Sequence, residues 1–463
     1  MESYPLNVAR DRQYNTHDQV AGDSMARKTS PDDLIPDAPA VAGKGLLDRR
    51  ALLKLAAMGS VTGLAAGRPR PSSAEPVGAG QPEWLLSPGL PAEGYGQPSR
   101  FELERVQRHV FPVASLQGQT IPVYSVTPHD LLHGTHTPSG LHFEINHHGI
   151  PDIDPARHEL VIHGMVDRPL KLDLERLERY PTITRDYFVE CSGNSGRLWQ
   201  KEPAAKTLAI THGLLAASEW TGVPLAILLD EAGVQLGAKW VIAEGADSGS
   251  LSRSVPIEKA LNDSLIALYQ NGERVRPGQG YPMRLFNPGF EGNTSVKWLR
   301  SLHVTNRPAM TRFETSRYTD LMPDGKALQF TLEMEVKSVI TRPSNSMKLT
   351  EPGYYEITGL AWTGSGRIRR VEVSADAGKT WADALLQEPV LPKMTTRFRM
   401  PWRWDGGPAT LQSRATDETG RVQPTREALI AARGRASRPG TYHFNGIHSW
   451  GVLPSGEIRH VYA

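Results

Sequence analysis

Cysteine is almost absent: the 463 residues hold one, Cys191. A single thiol excludes an internal disulfide framework, a CxxCH haem-attachment site, a cysteine-ligated iron–sulfur cluster and a Cys2His2 zinc finger, because each needs at least two cysteines in one chain. Long apolar runs are missing too. No stretch of about 18 uninterrupted apolar residues occurs, which argues against a permanent membrane span. Nor is there an excess of one charge: 52 Lys+Arg face 50 Asp+Glu, a formal net charge of +2. No Lys/Arg cluster interleaved with aromatics reverses that balance, so no nucleic-acid-binding face is expected. What remains is a composition of 39% hydrophobic and 22% charged residues, enough for a packed core and too apolar for a disordered protein. At roughly 150 residues per domain the length predicts about three units, or two long globular domains with disordered ends.

The first hundred residues read as address and spacer. Residues 1–45 are polar, carry Pro-Asp-Asp and Pro-Asp-Ala-Pro pieces, and have no sustained periodicity; a disordered leader is expected. Arg49-Arg50 then precede a mild apolar run from Leu55 to Gly67, with Ser72-Ser73-Ala74 beyond it. Segment 46–74 resembles a twin-arginine export signal with its cleavage site, against the alternative of a short amphipathic helix that happens to carry Arg-Arg. Such a signal implies a bacterial periplasmic location and a large cofactor inserted before export. Residues 75–100 read as a linker.

Two globular regions follow, 101–325 and 326–432, and then a tail, 433–463. The first mixes short β-type runs, a few helices and many Gly/Pro turns. One helix is legible: Pro224 opens it, Leu225 to Leu229 run through it, and Gly233 stops it. Trp240 to Ala243 reads as a buried strand. In the second region Arg370 to Ser374 alternates, Asp376 to Lys379 turns, and Leu411 to Ala415 alternates again, the texture of a β-sandwich. The tail carries Tyr442, His443, His448 and Trp450 and is expected to dock back on the body.

Three features could carry chemistry. Cys191 ends a β-type run and opens the small-residue loop Ser192-Gly193-Asn194-Ser195-Gly196-Arg197. A thiolate there, near backbone N–H groups and an arginine, is placed to lose its proton and bind something soft; the alternatives are a buried structural cysteine or a cysteine hydrolase with a histidine base. Eight of the fifteen histidines fall between 129 and 163. The spacing of His129, His133 and His136 could set three rings on one helix face for zinc, but Gly134 and Pro138 interrupt a helix, and surface or core histidines are the plainer reading. In the stretch 280–299, Arg284 and Lys297 flank a Pro/Gly-rich loop beside aromatics, a pattern able to hold phosphate or simply two solvated cations.

Taken in order, these pieces form a signature. Phe143-x-x-Asn146-His147, Cys191-Ser-Gly-Asn194, Trp220 to Leu225, Val255-Pro256-Ile257, Tyr281-Pro-Met-Arg284 and Val296-Lys-Trp-Leu299 resemble the sulfite oxidase family of molybdenum enzymes over about residues 100–430. The resemblance implies an α+β fold: a mixed α/β molybdopterin-binding domain followed by an immunoglobulin-like β-sandwich dimerisation domain. It implies a molybdenum–molybdopterin cofactor with Cys191 as the protein's metal ligand. By motif position Phe143, Asn146, His147, Asp247, Gln279, Arg284, Ser295 and Lys297 would hold the pterin and its phosphate, Gln279 standing where the family commonly has His. Tyr318 falls on the family's active-site tyrosine, and Arg197, after one inserted residue, on an arginine that orients substrate.

The departures narrow the substrate. Sulfite oxidases surround their small dianion with arginines, but this chain has Ile145 at one such position and Asn445 at another. Losing two cationic forks weakens dianion binding by several kcal/mol, at roughly 1.5–3 kcal/mol per hydrogen bond to a charged group. The pattern resembles instead the sulfane dehydrogenase branch of the periplasmic thiosulfate-oxidising system, which implies a sulfane sulfur carried on a protein's cysteine as substrate. With no haem motif in this chain, the resemblance implies a separate dihaem c-type cytochrome subunit, a homodimer through the sandwich and two copies of each chain overall. A sulfite dehydrogenase using cytochrome c is the alternative; a zinc hydrolase or non-catalytic binding scaffold is the remote one.

Overall fold

The computed structural model describes residues 40–48, 88, 94–103, 106–112, 123–203, 205–434 and 443–463. Residues 49–74, with the paired arginines, and most of the expected leader and linker lie outside the described residues. Among the described residues no helix is long and apolar enough to cross a membrane.

The first unit is built on sheets that bury both faces. Leu215–Pro224, a strand buried along most of its length, pairs antiparallel with Ile183–Glu190 on one side and Leu265–Gln270 on the other. A second five-stranded sheet runs Ser252–Pro256, Trp240–Gly245, Leu299–Thr305, Glu159–Gly164, Leu170–Asp173. Its Leu299–Thr305 and Glu159–Gly164 strands are parallel, the rest antiparallel. Between these sheets lies the predicted helix, Leu225–Ala232, presenting Leu225, Leu228, Leu229 and Ala232 to the core. Gly233 ends it at φ +71, its N–H closing on the Leu229 and Asp230 carbonyls, a left-handed turn that glycine adopts without a Cβ clash. The predicted strand at Trp240 extends to Gly245.

The second unit is the expected sandwich. One sheet carries Lys337–Arg342, Gly353–Trp362 and Thr396–Trp404; the other carries Ile368–Ser374 and Ala409–Asp417. Trp362, Phe398, Trp402, Leu411 and Trp450 fill the space between them, each at most 1% exposed. At about 1.5–3 kcal/mol for burying one such side chain, this core carries much of the unit's stability. The same core takes in Phe188, Leu215 and Ala217 of the first unit, so the strand leading to Cys191 is packed from both sides.

Two boundaries are corrected. Residues 40–45 do not belong to a disordered leader, and 46–47 are part of the same strand pair: Ala40–Ala42 and Leu46–Leu47 pair with each other, Leu46 pairs with Trp402 at the sandwich edge, and the Trp402 indole donates to the Lys44 carbonyl at 2.7 Å. The reason is tertiary, since Leu46 finds a fully buried site that local periodicity does not announce. The tail is not an appendage either. Ser449–Val452 and Ile458–Val461 extend the second sandwich sheet from Ala409–Asp417, so the sandwich runs on to Val461 rather than ending at 432.

Candidate active site

Cys191 stands where the two units meet. Its N–H donates to the Leu214 carbonyl at 2.9 Å, one step beyond the Glu190–Leu215 pair of the ladder. The chain then turns tightly: Asn194 N–H reaches back to the Cys191 carbonyl at 2.9 Å, and Ser195 adopts φ +65. Because successive side chains leave a strand on opposite faces, Glu190 points away from the cysteine into the interface. There, fully buried, its carboxylate accepts from Lys337 Nζ (2.8 Å), Trp362 Nε1 (2.6 Å) and Asn194 Nδ2 (2.8 Å). Burial pushes the Glu190 carboxyl up, but Lys337 and His443 outweigh it and bring it to about 2. The asparagine arm of this network also takes Leu214 N–H at 3.1 Å. The cysteine loop is therefore braced from behind by a buried ion pair.

On its other face Cys191 lines a cavity of about 310 Å³. Phe143, His147, Gln279, Arg284, Ser295, Lys297 and Tyr318 line it as well. Burial pushes the Cys191 thiol up to about 12, against donors from Gly193 and Ser192. The loop thus does not itself generate a thiolate, contrary to the expectation from sequence. A soft cation must displace the proton, as bound metals do to coordinating thiols.

Opposite the cysteine sit two cations. Arg284, 3% exposed, donates from Nη1 to the Gln279 carbonyl (3.0 Å) and from Nη2 to the Ser295 carbonyl (2.8 Å), leaving buried Nε without a partner. Lys297 Nζ donates to the Ile145 and Gly278 carbonyls (3.0 and 2.9 Å) and to Asn146 Oδ1. Burial brings Arg284 down to about 9; burial and then the Arg284 charge bring Lys297 down to about 7. They can lie this close because Gly280, at φ +111, separates them; a Cβ there would meet Lys297 Cβ at 3.0 Å and Arg284 Cβ at 3.1 Å. Two adjacent buried cations without a carboxylate hydrogen-bonded to either want an anion, and a phosphate group supplies it. An orphan donor points the same way: Asn146 Nδ2 is buried with no partner. These donors fit a pterin and its phosphate.

The remaining expected residues divide. Gln279 Nε2 holds the Phe143 carbonyl at 2.8 Å. His147 stacks on Phe313 with centroids 5.2 Å apart, and burial, then Lys297, hold its imidazole down to about 4, so it is neutral. The Ser295 hydroxyl accepts from Asn287 N–H at 3.0 Å and keeps its own proton to donate. Burial raises the Tyr318 hydroxyl, so it too keeps its proton as a donor. Asn146 and Asp247 stand behind the lining. Asp247 accepts from Leu251 N–H at 3.0 Å and pairs with His148 Nδ1 at 3.0 Å. Arg197, in the Gly196–Trp199 turn that follows Ser195, is exposed and is not among the residues that line the cavity; its charge acts on Tyr124, as does Cys191.

A second arginine at the cavity, beside Arg284, is Arg317, a residue the sequence reading passed over although it precedes Tyr318. Asn293 and Ser192, 3.4 Å apart, also line the cavity, as do the apolar Ile145, Val189, Leu214 and Leu251. Asn445 does not; its amide donates to the Val336 carbonyl at 3.3 Å. His129, His133 and His136 go to three separate partners, the Leu215 carbonyl, Arg342 and Asp186. Among the described residues no group of three or more His, Cys, Asp or Glu is arranged to hold a metal.

Comparison with known proteins agrees with this geometry. The model of the oxidoreductase molybdopterin binding domain matches residues 147–313, and that of the Mo-co oxidoreductase dimerisation domain matches residues 329–449. The chain is 30% identical to an NADH nitrate reductase of Solanum lycopersicum over 64% of this chain and 37% of that protein. It is 29% identical to the mitochondrial sulfite oxidase of Mus musculus, over 65% of this chain and 60% of that one. It therefore spans under two thirds of the length of these curated relatives. Among solved structures, the sulfane dehydrogenase SoxCD from Paracoccus pantotrophus superposes with a TM-score of 0.79 at 42% identity, covering 85% of this chain and 100% of that one.

Proposed function

The chain belongs to the sulfite oxidase family of molybdenum oxidoreductases, and from that premise we propose that it oxidises sulfane sulfur presented on a carrier protein and passes the electrons to a c-type cytochrome. The observation that carries this reading is the apolar share of the cavity wall: Ile145, Val189, Leu214 and Leu251 line it, while Arg197 and Asn445 do not. Arg284 and Lys297 are committed to the cofactor side. A slot with apolar walls suits an extended, weakly charged sulfur chain, whereas a free dianion would forfeit several kcal/mol of charge-assisted contacts.

Bound molybdenum–molybdopterin supplies two-electron oxygen-transfer chemistry. Everything else falls to the chain. Cys191 holds the metal as thiolate; Arg284, Lys297, Ser295 and Gln279 hold the pterin and its phosphate, with Phe143, Asn146 and His147 beside them and Asp247 behind. Tyr318 keeps its proton and donates a hydrogen bond to the reacting group. A chain with one cysteine cannot attach haem through CxxCH, which supports a separate subunit as the electron acceptor. The likeness to the sulfane dehydrogenase SoxCD supports a partner subunit, which the sequence resemblance suggests is a dihaem c-type cytochrome; the dimerisation-domain match supports a homodimer, and the two together an assembly with two copies of each chain. The Arg49-Arg50 segment supports a periplasmic location.

Arg317 is the one observation that favours free sulfite, since it brings a cation to the cavity. The test compares kcat/KM for sulfite and for a carrier-bound persulfide in the wild type and in Ile145→Arg. The expected result is preference for the carrier-bound sulfur, with the variant gaining sulfite activity at least ten-fold. Equal use of free sulfite by the wild type contradicts the proposal.

A further inference from the structure

The least explained charge in the molecule is Arg253. Its side chain is 0% exposed, yet Nε, Nη1 and Nη2 all lack a hydrogen-bond partner. A buried guanidinium normally spends its donors, and one that does not demands a reason. Two contacts define its surroundings. Its Nε lies 3.5 Å from Glu314 Oε1, a carboxylate that is itself 0% exposed, and its Cζ lies 4.3 Å from the centroid of the Tyr318 ring. Phe330 sits farther off, at 5.8 Å.

Both contacts act on one element. Arg253 belongs to Ser252–Pro256, which lies at the end of its sheet. Its neighbours seize the start of the short helix Arg312–Arg317: Ser254 N–H donates to Glu314 Oε1 at 2.5 Å, Ser254 Oγ to Glu314 Oε2 at 3.1 Å, and Thr311 Oγ1 to the Ser252 carbonyl at 3.1 Å. Glu314 also closes the capping box on Thr311 N–H at 3.0 Å. These bonds fix the helix entrance. The exit, where Arg317 and Tyr318 meet the cavity, has Tyr318 N–H on the Phe313 carbonyl at 3.3 Å, Thr319 Oγ1 on the Glu314 carbonyl at 2.8 Å, and the guanidinium over the Tyr318 ring.

We propose that Arg253 is a positioning residue: anchored by Glu314, its guanidinium plane sets the orientation of the Tyr318 ring and with it the turn that presents Tyr318 and Arg317 to the cavity. A lysine keeps the charge but offers no plane to stack, and a methionine fills the volume without either. The role in turnover rests on the active-site assignment of Tyr318 made above; the orientation itself does not.

The test replaces tyrosine with 3-fluorotyrosine and follows the ¹⁹F resonance of residue 318, assigned with Tyr318→Phe, in the cofactor-free protein and in the loaded enzyme. Arg253→Met and Arg253→Lys should both move or broaden this line while the other tyrosine lines stay in place, and the loaded variants should lose kcat about ten-fold or more with little change in KM. Glu314→Gln, which keeps the guanidinium, should disturb the line less than either. If Arg253→Met does not fold, Arg253→Lys decides. A residue-318 line identical to wild type in a folded Arg253 variant overturns the proposal. A displaced line with unchanged turnover on either sulfur substrate supports the positioning role and overturns the assignment of Tyr318 to the reaction.

Discussion

Replacing Lys337 with methionine tests how the cysteine loop is held. Lys337 is 1% exposed and its ammonium sits 2.8 Å from Glu190 Oε1 and 2.9 Å from Ser195 Oγ, which is itself 2.7 Å from His212 Nδ1. Lys337→Met removes the cation and leaves the Glu190 carboxylate, 0% exposed, with the Trp362 and Asn194 donors and with His443 Nε2 at 3.5 Å. Breaking a buried pair in this way costs about 3–5 kcal/mol, because the survivor is an uncompensated buried charge. For a unit of this size that corresponds to a fall of roughly 6–20 °C in melting temperature. Glu190→Gln in the same chain removes the stranded charge, so the double variant should recover a large part of the loss, a coupling of at least about 1 kcal/mol. The assay is urea and thermal unfolding of cofactor-free protein for wild type, both singles and the double. Since Asn194 ties Glu190 to the cysteine loop, molybdenum content after loading should fall with Lys337→Met. A single-variant loss below about 1 kcal/mol, or a double variant as unstable as the sum of the singles, would refute the reasoning.

Two further outcomes concern the cofactor side. Arg284→Met removes a buried cation whose Nε has no partner in the protein; at about 1.5–3 kcal/mol per charge-assisted bond the cofactor should bind roughly ten- to 150-fold more weakly, read as molybdenum retained after dialysis. Lys297, brought down to about 7 in the folded chain, binds fewer protons there than when unfolded between that value and the ordinary lysine range near 10.4. Stability of the cofactor-free protein should therefore rise with pH above about 7 and show no contribution from this group below it; Lys297→Met should flatten the rise in melting temperature from pH 7 to 9.

Much of this site could be read before the structure because its residues sit at strand ends. Cys191 ends a β-type run, and Arg284 and Lys297 flank a loop rich in Pro and Gly, so local pattern and position coincide. What escaped depended on tertiary detail. Ser195, at φ +65, opens the turn that carries Arg197, and no spacing rule signals a single left-handed serine. Arg317 reaches the cavity because a six-residue helix, Arg312–Arg317, ends there; its sequence looks like any solvated cation beside a tyrosine. Asp247 was tied to the cofactor by motif, yet its carboxylate is spent on His148 and Leu251. The same holds for the fold. Alternation exposed the inner strands, Ile368–Ser374 and Ala409–Asp417, whereas Leu46–Leu47 and the tail strands owe their pairing to edges that only the assembled sandwich provides.

The central claim is that this molybdenum site is built for a tethered sulfane rather than for free sulfite. Oxidised, molybdenum-loaded enzyme mixed anaerobically with sulfite, and separately with carrier-bound sulfane, reports on it through the metal's EPR signal and the absorbance of added c-type cytochrome. The account predicts rapid reduction by the carrier-bound sulfur and little by sulfite. Rapid reduction by sulfite alone would contradict it, and would mean that Arg317 suffices to hold a free dianion even with Ile145 in place of an arginine.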